Sequence, residues 1–453
     1  MQNEPIPFDP ARDPAALAAS GALSGSVAQF AQPRGPDLLR RAGALDAWVS
    51  LRLQHGVWPY ARVLDGAPGP LASVGVEDGA PRRGINFASQ DYLSLAAHPA
   101  VMEAARCALD QAGPHSAGSA VLLGNTRHSR SLERALAEFL GQEHVVLFPT
   151  GWAAAYGAIT ALVHAHDHVV IDALAHASLR QGAASATRNV LVNRHLDCDH
   201  VRELLARIRA VDAANAILVV TEGLFSMDSD SPDLPLLQHL CREYGATLLV
   251  DVAHDLGALG PGGGGVVAAQ RMEGRIDIVM GSFSKTFATN GGFVACAERP
   301  VRRQLQLYAG PHMFSNALSP MQAAVALASL RIVASSEGEG LRADLRRNAL
   351  ELRARLTQSG LHCLGAPSAI VPVWTGSEAS ARMAGMLLAR EAVFVNPVEF
   401  PGVPLGAARL RLQLMAQHSP AQVRRGAGRV AAACIGAGAG RPPPAMLRER
   451  YRG

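Results

Sequence analysis

Short apolar runs and amphipathic stretches alternate along most of the chain. The segments "EHVVLF" (143–148), "DHVVID" (167–172), "AILVVTEG" (216–223), "ATLLVDVA" (246–253) and "DIVMGSF" (277–283) are compact, rich in β-branched residues and bounded by polar or glycine positions, which predicts strands. Between them "SRSLERALAEFLG" (129–141) and "PLLQHLCREYG" (235–245) place apolar residues at helical spacing and close on glycine, the pattern of amphipathic helices with a C-terminal stop. Strands alternating with helices imply βαβ units and a mostly parallel sheet, an α/β fold.

The rhythm changes near Ser319. Ser319-Pro320 is a cap and first-turn pair for a long helix over "SPMQAAVALASLRIVASS". A second helix near 341–359, a strand "AIVPVWT" (369–375), a helix near 378–391, and the runs "AVFVNPV" (392–398) and "RLRLQLM" (409–415) follow. The expected organisation is an arm and entry segment over 1–85, a large domain over 86–318, a smaller α/β domain over 319–435, and a flexible tail over 436–453. The first 35 or so residues, rich in Ala, Pro, Gly and Ser, read as a loose arm. No internal repeat is visible.

A length of 453 residues suits this division, and 49% hydrophobic with 18% charged residues is a globular composition. A net charge of +4 spread over the chain offers no electrostatic case for nucleic acid. The opening "MQNEPIPFDP" lacks the basic and apolar regions of a secretory signal, and no apolar stretch is long enough to predict a membrane span. Six scattered cysteines without a C-x-x-C pair favour reduced thiols and a cytoplasmic setting.

Charge usage singles out one residue. The chain carries 42 Lys+Arg, and Lys285 is its only lysine. A bias toward arginine leaves a single survivor by chance on one reading; on the other, lysine is kept because an ammonium can lose its proton and serve as amine nucleophile or base, which guanidinium does not. Lys285 is thus a candidate Schiff-base residue. Ligands of open parallel sheets gather at the carboxyl ends of strands, and reactive residue types sit there: His176 and Ser178, then Glu222, Ser226 and Asp228, then Asp251 and His254, then Ser282, Ser284 and Lys285.

Asp251 ends an apolar strand, where a carboxylate needs a cationic partner; a protonated pyridine nitrogen would serve, with His254 reaching a phenolate-type oxygen of the same ring. "DVAH" alone reads first as a capping aspartate and a core histidine, and the strand-end lysine 34 residues on reverses that reading in favour of the ring. "LFPTGWAAAYGAITALV" (147–163) runs from strand through a turn into a helix, so the amides of Gly151 and Trp152 would face an anion, with the Ser282 hydroxyl added. His176 could stack on an aromatic ring or merely satisfy local hydrogen bonds. "GPGGGG" (260–265) reads as a flexible crossover, and "HAHDH" (164–168) as a turn before a strand rather than a metal site.

Taken together these residues resemble the fold-type I pyridoxal-phosphate enzymes, and specifically the α-oxoamine synthase family, over roughly residues 84 to 420. "NFASQDYLSL", "LERALAEFLG", "FPTGW", "DALAHAS", "TEGLFSMDSD", "DVAHDLG", "GSFSKTFATNGG" and "PGVPLGAARLRLQLMAQHS" occur in the family's order. The resemblance implies a large domain with a seven-stranded, mostly parallel sheet flanked by helices, a smaller C-terminal domain, and pyridoxal 5'-phosphate as cofactor. It makes Lys285 the covalent anchor and proton carrier, Asp251 the partner of the pyridine nitrogen and His176 the stacked residue. His254 and Ser226 serve the ring hydroxyl, Glu222 belongs to the same cofactor site, and Gly151, Trp152 and Ser282 hold the phosphate. Arg411 matches the arginine that takes the substrate carboxylate, with Gln90 and Ser178 also on the substrate side, whereas Arg409 reads as a solvated strand charge. "HMFSNALSP" (312–320) resembles the segment that a second subunit inserts beside the phosphate through Ser315 and Asn316, which implies a homodimer. The implied reaction joins an amino acid to an acyl thioester, on coenzyme A or a carrier protein, with loss of carbon dioxide. Another fold-type I activity, an aminotransferase or lyase, and a silent partner subunit are the alternatives.

Departures from the family pattern concern substrate choice: Gln90 and Asn316 stand where Asn and Thr are usual, Ser94 where Gly is, Ala155 and Val252 where Asn and an acid are common, and His128 lies one position from the family's histidine. "SAGSAVLLGNTRHSRSLE" (116–133) resembles the serine palmitoyltransferase-like and autoinducer-synthase-like branches.

Overall fold

The computed structural model describes Leu17, residues 19–75 and residues 80–440, which fall into two compact units. The smaller joins the chain up to Ser89 with Arg347–Leu414 and the segment from His418; the larger comprises Gln90–Arg346 with Met415–Gln417.

Three antiparallel strands open the smaller unit, β1 (Val63–Asp65), β2 (Leu71–Gly75) and β3 (Arg82–Asn86). The larger unit then contributes β4 (His144–Phe148), β5 (His168–Asp172), β6 (Val190–Asn193), β7 (Ile217–Glu222), β8 (Thr247–Asp251), β9 (Ile278–Ser282) and β10 (Gly292–Cys296). These form one seven-stranded sheet in the order β4-β10-β9-β8-β7-β5-β6. Only β10 runs against its neighbours; it is antiparallel to both β4 and β9, while the pairs from β9 to β6 are parallel. The five apolar runs of the sequence are β4, β5, β7, β8 and β9, and β7 and β9 are buried at every position, as strands covered on both faces require. β6 and β10 were not anticipated. "GFVAC" is short and opens on glycine, and the Asn290-Gly291 step before it is a hairpin signal.

The smaller unit is completed by β11 (Ile370–Gly376), β12 (Val393–Phe394), β13 (Asn396–Val398) and β14 (Ala408–Gln413). β12 adds in parallel to β3, and β11-β14-β13 form an antiparallel sheet. β14 lies in the middle of that sheet, so Arg409 is 1% exposed and its Nε and Nη2 donate to Ala407 O at 3.3 and 3.0 Å; the solvated charge expected there is a buried one.

The helix Pro320–Val333 was expected to begin the C-terminal domain at residue 319. It groups instead with the larger unit, whose division from the smaller falls at 346/347. The cause is its nearly all-round apolar surface, which packs on the helices Pro99–Ala112 and Arg127–Leu140. Its start is as read: Ser319 and Gln322 form a reciprocal capping box. The loose arm is likewise corrected in part. Leu17 and Ala22 are buried with Val57 and Met386, and Arg382 Nη1 donates to Leu23 O at 2.8 Å. Residues 1–16 and residue 18 of the expected arm, and most of the expected tail, 441–453, lie outside the described residues.

The larger unit's core lies between the sheet and the helix Gly151–Leu162. Alanines at 153, 154, 155 and 158 let that helix sit close against Val146, Met280 and Val294. The glycine-rich segment is not a loose crossover. Gly263 and Gly265 adopt φ +84° and +70°, and the chain folds onto the fully buried Asp255, which accepts from the Val266 amide at 2.7 Å. In "HAHDH", Asp167 accepts from the amides of His164 and Ala216 at 2.7 and 2.9 Å, and His168 Nε2 meets Asp212 Oδ2 at 2.8 Å.

Candidate active site

A cavity of about 280 Å³ opens at the carboxyl ends of the sheet strands. Thr150, Gly151 and Trp152 border it after β4, His176 and Ser178 after β5, Glu222 at the end of β7, Asp251, Ala253 and His254 after β8, and Ser282, Ser284 and Lys285 after β9. The strand-end residues read from the sequence are thereby brought together, except Ser226 and Asp228. Both of those are buried in the loop after β7 but do not line the cavity.

Lys285 is half-buried in the loop 283–291 that joins β9 to the antiparallel β10. The loop is closed by the Phe283 amide donating to Gly291 O at 2.9 Å. It is stiffened by Phe283, which stacks on Phe293 at 5.6 Å and meets Phe287 edge-on at 5.8 Å. A lysine held on a short, packed hairpin rather than a long loop keeps its amine near one place.

Glu222 and Asp251 stand opposite each other on the parallel strands β7 and β8, 3% and 7% exposed. Glu222 Oε1 accepts from the His176 amide at 2.6 Å, and Asp251 Oδ1 accepts from the Ala253 amide at 2.8 Å. Burial raises both carboxyls above their ordinary range. At Glu222 the neighbouring Asp251 adds to the rise and Lys285 opposes it only weakly; at Asp251 Lys285 is the main opposing charge. Of the two carboxyls Glu222 is the one pushed more strongly toward its neutral form, because Asp251 adds to its rise, whereas Lys285 opposes the rise at Asp251.

His254 is buried, and its Nδ1 meets the hydroxyl of the fully buried Tyr92 at 2.9 Å. Tyr92 lies within the quoted "NFASQDYLSL" stretch, yet no role was read for it, because its partner is 162 residues away. His176 caps the helix Ala177–Ala186; its Nδ1 meets Ser178 Oγ at 2.7 Å, and Trp152 lies edge-on to its ring at 5.8 Å.

The turn after β4 is built by close approach. Thr150 Oγ1 accepts from the Ala153 amide at 3.0 Å and caps the helix Gly151–Leu162. The Gly151 and Trp152 amides belong to the first turn, where the helix itself supplies no acceptor. A Cβ on Gly151 would lie 2.4 Å from Ser282 Cβ and 2.5 Å from its Oγ, and one on Gly292 would lie 2.7 Å from Gly151 Cα. Only glycines at 151 and 292 let the helix N-terminus and the Ser282 hydroxyl meet at the cavity wall. An anion placed there gains two amides, a hydroxyl and the helix dipole.

The other expected site residues lie elsewhere. Gln90 is half-buried and its carbonyl accepts from the Tyr92 amide at 3.0 Å. Ser315 Oγ donates to Pro311 O, and the exposed Asn316 meets His115 Nε2 through its amide at 3.2 Å. Neither borders the cavity of its own chain. Arg411 is half-buried on β14 in the smaller unit.

Residues 82–430 match the family described as aminotransferase class I and II. An 8-amino-7-oxononanoate synthase of Anaeromyxobacter dehalogenans is 37% identical over 385 residues, 84% of this chain and 94% of that protein. A serine palmitoyltransferase of Sphingobacterium spiritivorum is 34% identical over 342 residues, 76% of this chain and 84% of that protein. Among solved structures, a serine palmitoyltransferase with its PLP internal aldimine superposes with a TM-score of 0.82 at 32% identity, covering 89% of this chain and all of that one. The chain belongs to the aminotransferase class I and II family and, within it, to the α-oxoamine synthases.

Proposed function

We propose that the chain is a pyridoxal-phosphate-dependent α-oxoamine synthase, an enzyme that condenses an amino acid with an acyl thioester and releases carbon dioxide and a thiol to give an α-amino ketone. One observation carries this reading: the only lysine of the sequence borders the same cavity as the buried Asp251 and the glycine-built turn at Ser282. Those residues fit the cofactor. An amine can hold its aldehyde, a buried anion suits a protonated ring nitrogen, and the helix N-terminus suits a phosphate. When bound, pyridoxal phosphate supplies an electron-poor ring that spreads negative charge developed on the substrate's α-carbon.

The chain's own residues divide the remaining tasks. Lys285 would hold the cofactor through its amine and, when that amine is free, would take and return the α-proton. Asp251 would keep the ring nitrogen protonated, and Glu222, its carboxyl pushed up by burial and by Asp251, seats His176 through its backbone amide. His176, which borders the cavity, would face the bound ring. His254, oriented by Tyr92, serves the ring hydroxyl together with Ser226, while Gly151, Trp152 and Ser282 hold the phosphate. The family likeness supports Arg411 as the guanidinium for the substrate carboxylate, with Gln90 and Ser178 beside the substrate.

The enzyme works as a homodimer in the cytoplasm. Leu122, Leu123 and Phe314 of the larger unit are 81%, 90% and 86% exposed in a single chain; such apolar exposure favours a covering subunit. Ser315 and Asn316, adjacent to Phe314, then serve the partner's phosphate site. Among the described residues no helix is long and apolar enough to cross a membrane. All six cysteines are free, in keeping with a reducing compartment.

The test is to incubate the purified protein, loaded with pyridoxal phosphate, with glycine, alanine or serine and with acyl-coenzyme A or acyl-carrier-protein donors, measuring thiol and carbon dioxide. Amino-acid-dependent release of both supports the synthase. Amino-acid turnover without thioester consumption would instead establish an aminotransferase or lyase, and absence of any turnover would leave the partner-subunit role.

A further inference from the structure

His195 lies outside the cavity and has no part in the chemistry above. Its side chain is 1% exposed, and both ring nitrogens face carboxylates: Nδ1 meets Asp172 Oδ1 at 2.7 Å, and Nε2 meets Asp230 Oδ2 at 3.3 Å. Ionised carboxylates only accept, so a ring that satisfies both must carry hydrogen on both nitrogens. The two acids belong to segments that carry proposed cofactor residues. Asp172 ends β5, four residues before His176, and its second oxygen accepts from the Leu196 amide at 3.0 Å. Asp230 closes the loop after β7 that carries Ser226; its carbonyl accepts from the Phe225 amide at 2.9 Å, and the Phe225 ring meets His195 edge-on at 4.5 Å.

We propose that His195, held as an imidazolium, is a positioning residue that ties the Ser226 loop to the strand end leading into His176. The inference rests on the cofactor reading for those two residues only; the clamp itself stands on the geometry around the imidazole. Burial alone would lower the imidazole's pKa, but the hydrogen bonds and charges of Asp172 and Asp230 outweigh it and push it up from 6.5 to about 9. Asp172 and Asp230 are the acids that meet the ring nitrogens; Glu222 adjoins Asp172 electrostatically, and the neighbouring Arg194 is paired with Asp197 at 2.7 Å. A histidine with a raised folded pKa gives its stabilisation fully below the unfolded value and loses it as pH rises through the folded one. The clamp is therefore closed at neutral pH and opens as pH passes about 9.

The experiment follows backbone hydrogen exchange in the holoenzyme by mass spectrometry, with rates corrected for intrinsic base catalysis. In the unmodified protein, protection of peptides covering 223–230 should fall roughly tenfold between pH about 8 and about 10. His195→Gln, whose donors sit on a single nitrogen and whose carbonyl oxygen cannot donate, loses the two-sided contact and should show low protection in that loop throughout. It should also bind pyridoxal phosphate about tenfold or more weakly, with altered circular dichroism of the bound chromophore. Constant loop protection across that range would overturn the proposal, as would a folded His195→Gln protein with unchanged cofactor affinity and chromophore signal. If His195→Gln does not fold, the pH series on the unmodified protein decides. If the unmodified protein binds no pyridoxal phosphate, the proposed function falls, and the exchange series still tests the clamp.

Discussion

Replacing Gly151 with alanine perturbs the proposed phosphate site without removing any group from it. The new methyl carbon would sit 2.4 Å from Ser282 Cβ, 2.5 Å from its Oγ and 3.2 Å from its Cα. Carbon atoms pack comfortably at about 3.5–4.0 Å, so the helix start and β9 must separate by about 1 Å. Ser282 is buried at the end of a strand paired on both sides, which leaves the helix end as the part that moves. Overpacking of this kind costs about 1–3 kcal/mol. Alanine's advantage over glycine in a helix interior, about 1 kcal/mol and less at the first turn, does not offset it. The larger effect falls on anion binding. Displacing the 151 and 152 amides by about 1 Å should forfeit at least one hydrogen bond to a charged group, worth about 1.5–3 kcal/mol. That corresponds to a roughly 10- to 140-fold rise in the dissociation constant for pyridoxal phosphate. Equilibrium dialysis at graded cofactor concentration measures that constant, and thermal unfolding of the apoprotein measures the packing cost. Ser282→Gly in the same chain removes the two closest contacts and should recover part of the thermal loss, but not the cofactor affinity, since the hydroxyl is gone. A Gly151→Ala protein that binds pyridoxal phosphate as tightly as the parent would refute the assignment of this turn.

Glu222→Gln should flatten the pH dependence of stability. A carboxyl whose folded pKa is raised above its ordinary 4.5 stabilises fully below that value and loses the contribution as pH climbs toward the folded pKa. Glutamine does not titrate, so the urea midpoint of the variant should exceed the parent's at neutral pH and fall below it or converge with it in acid; a parallel pair of curves would show Glu222 to be an ordinary anion. Tyr92→Phe removes the partner of His254 Nδ1 and should cost about 1 kcal/mol of apoprotein stability. It should also shift the pH–rate profile of the loaded enzyme, and an unchanged profile would show that Tyr92 does not orient His254.

Most of the fold was legible because five of its strands are compact apolar runs and four of them, β5, β7, β8 and β9, end in a polar residue: Asp172, Glu222, Asp251 and Ser282 mark the carboxyl edge of the sheet almost without help from structure. The lysine stood out only because arginine fills the other cationic positions. What escaped the reading depends on partners distant in sequence. The role of Tyr92 requires His254, and the order in the glycine-rich segment requires Asp255. The burial of Arg409 requires strands on either side of β14. His195 looks like any loop histidine until Asp172 and Asp230 close on it. β10 was missed because a short, glycine-led strand borrows its stability from β4 and β9 rather than from its own pattern, and the unit boundary was misplaced because a helix apolar on nearly all sides gives no sign of which layer it joins.

The central claim is that the solitary lysine carries the cofactor. Reduction of the loaded protein with borohydride, followed by proteolysis and mass spectrometry, tests it directly. The account predicts a reduced pyridoxyl group on the peptide spanning residues 281–292, attached at Lys285. An unmodified Lys285 in protein that still retains the chromophore would contradict it.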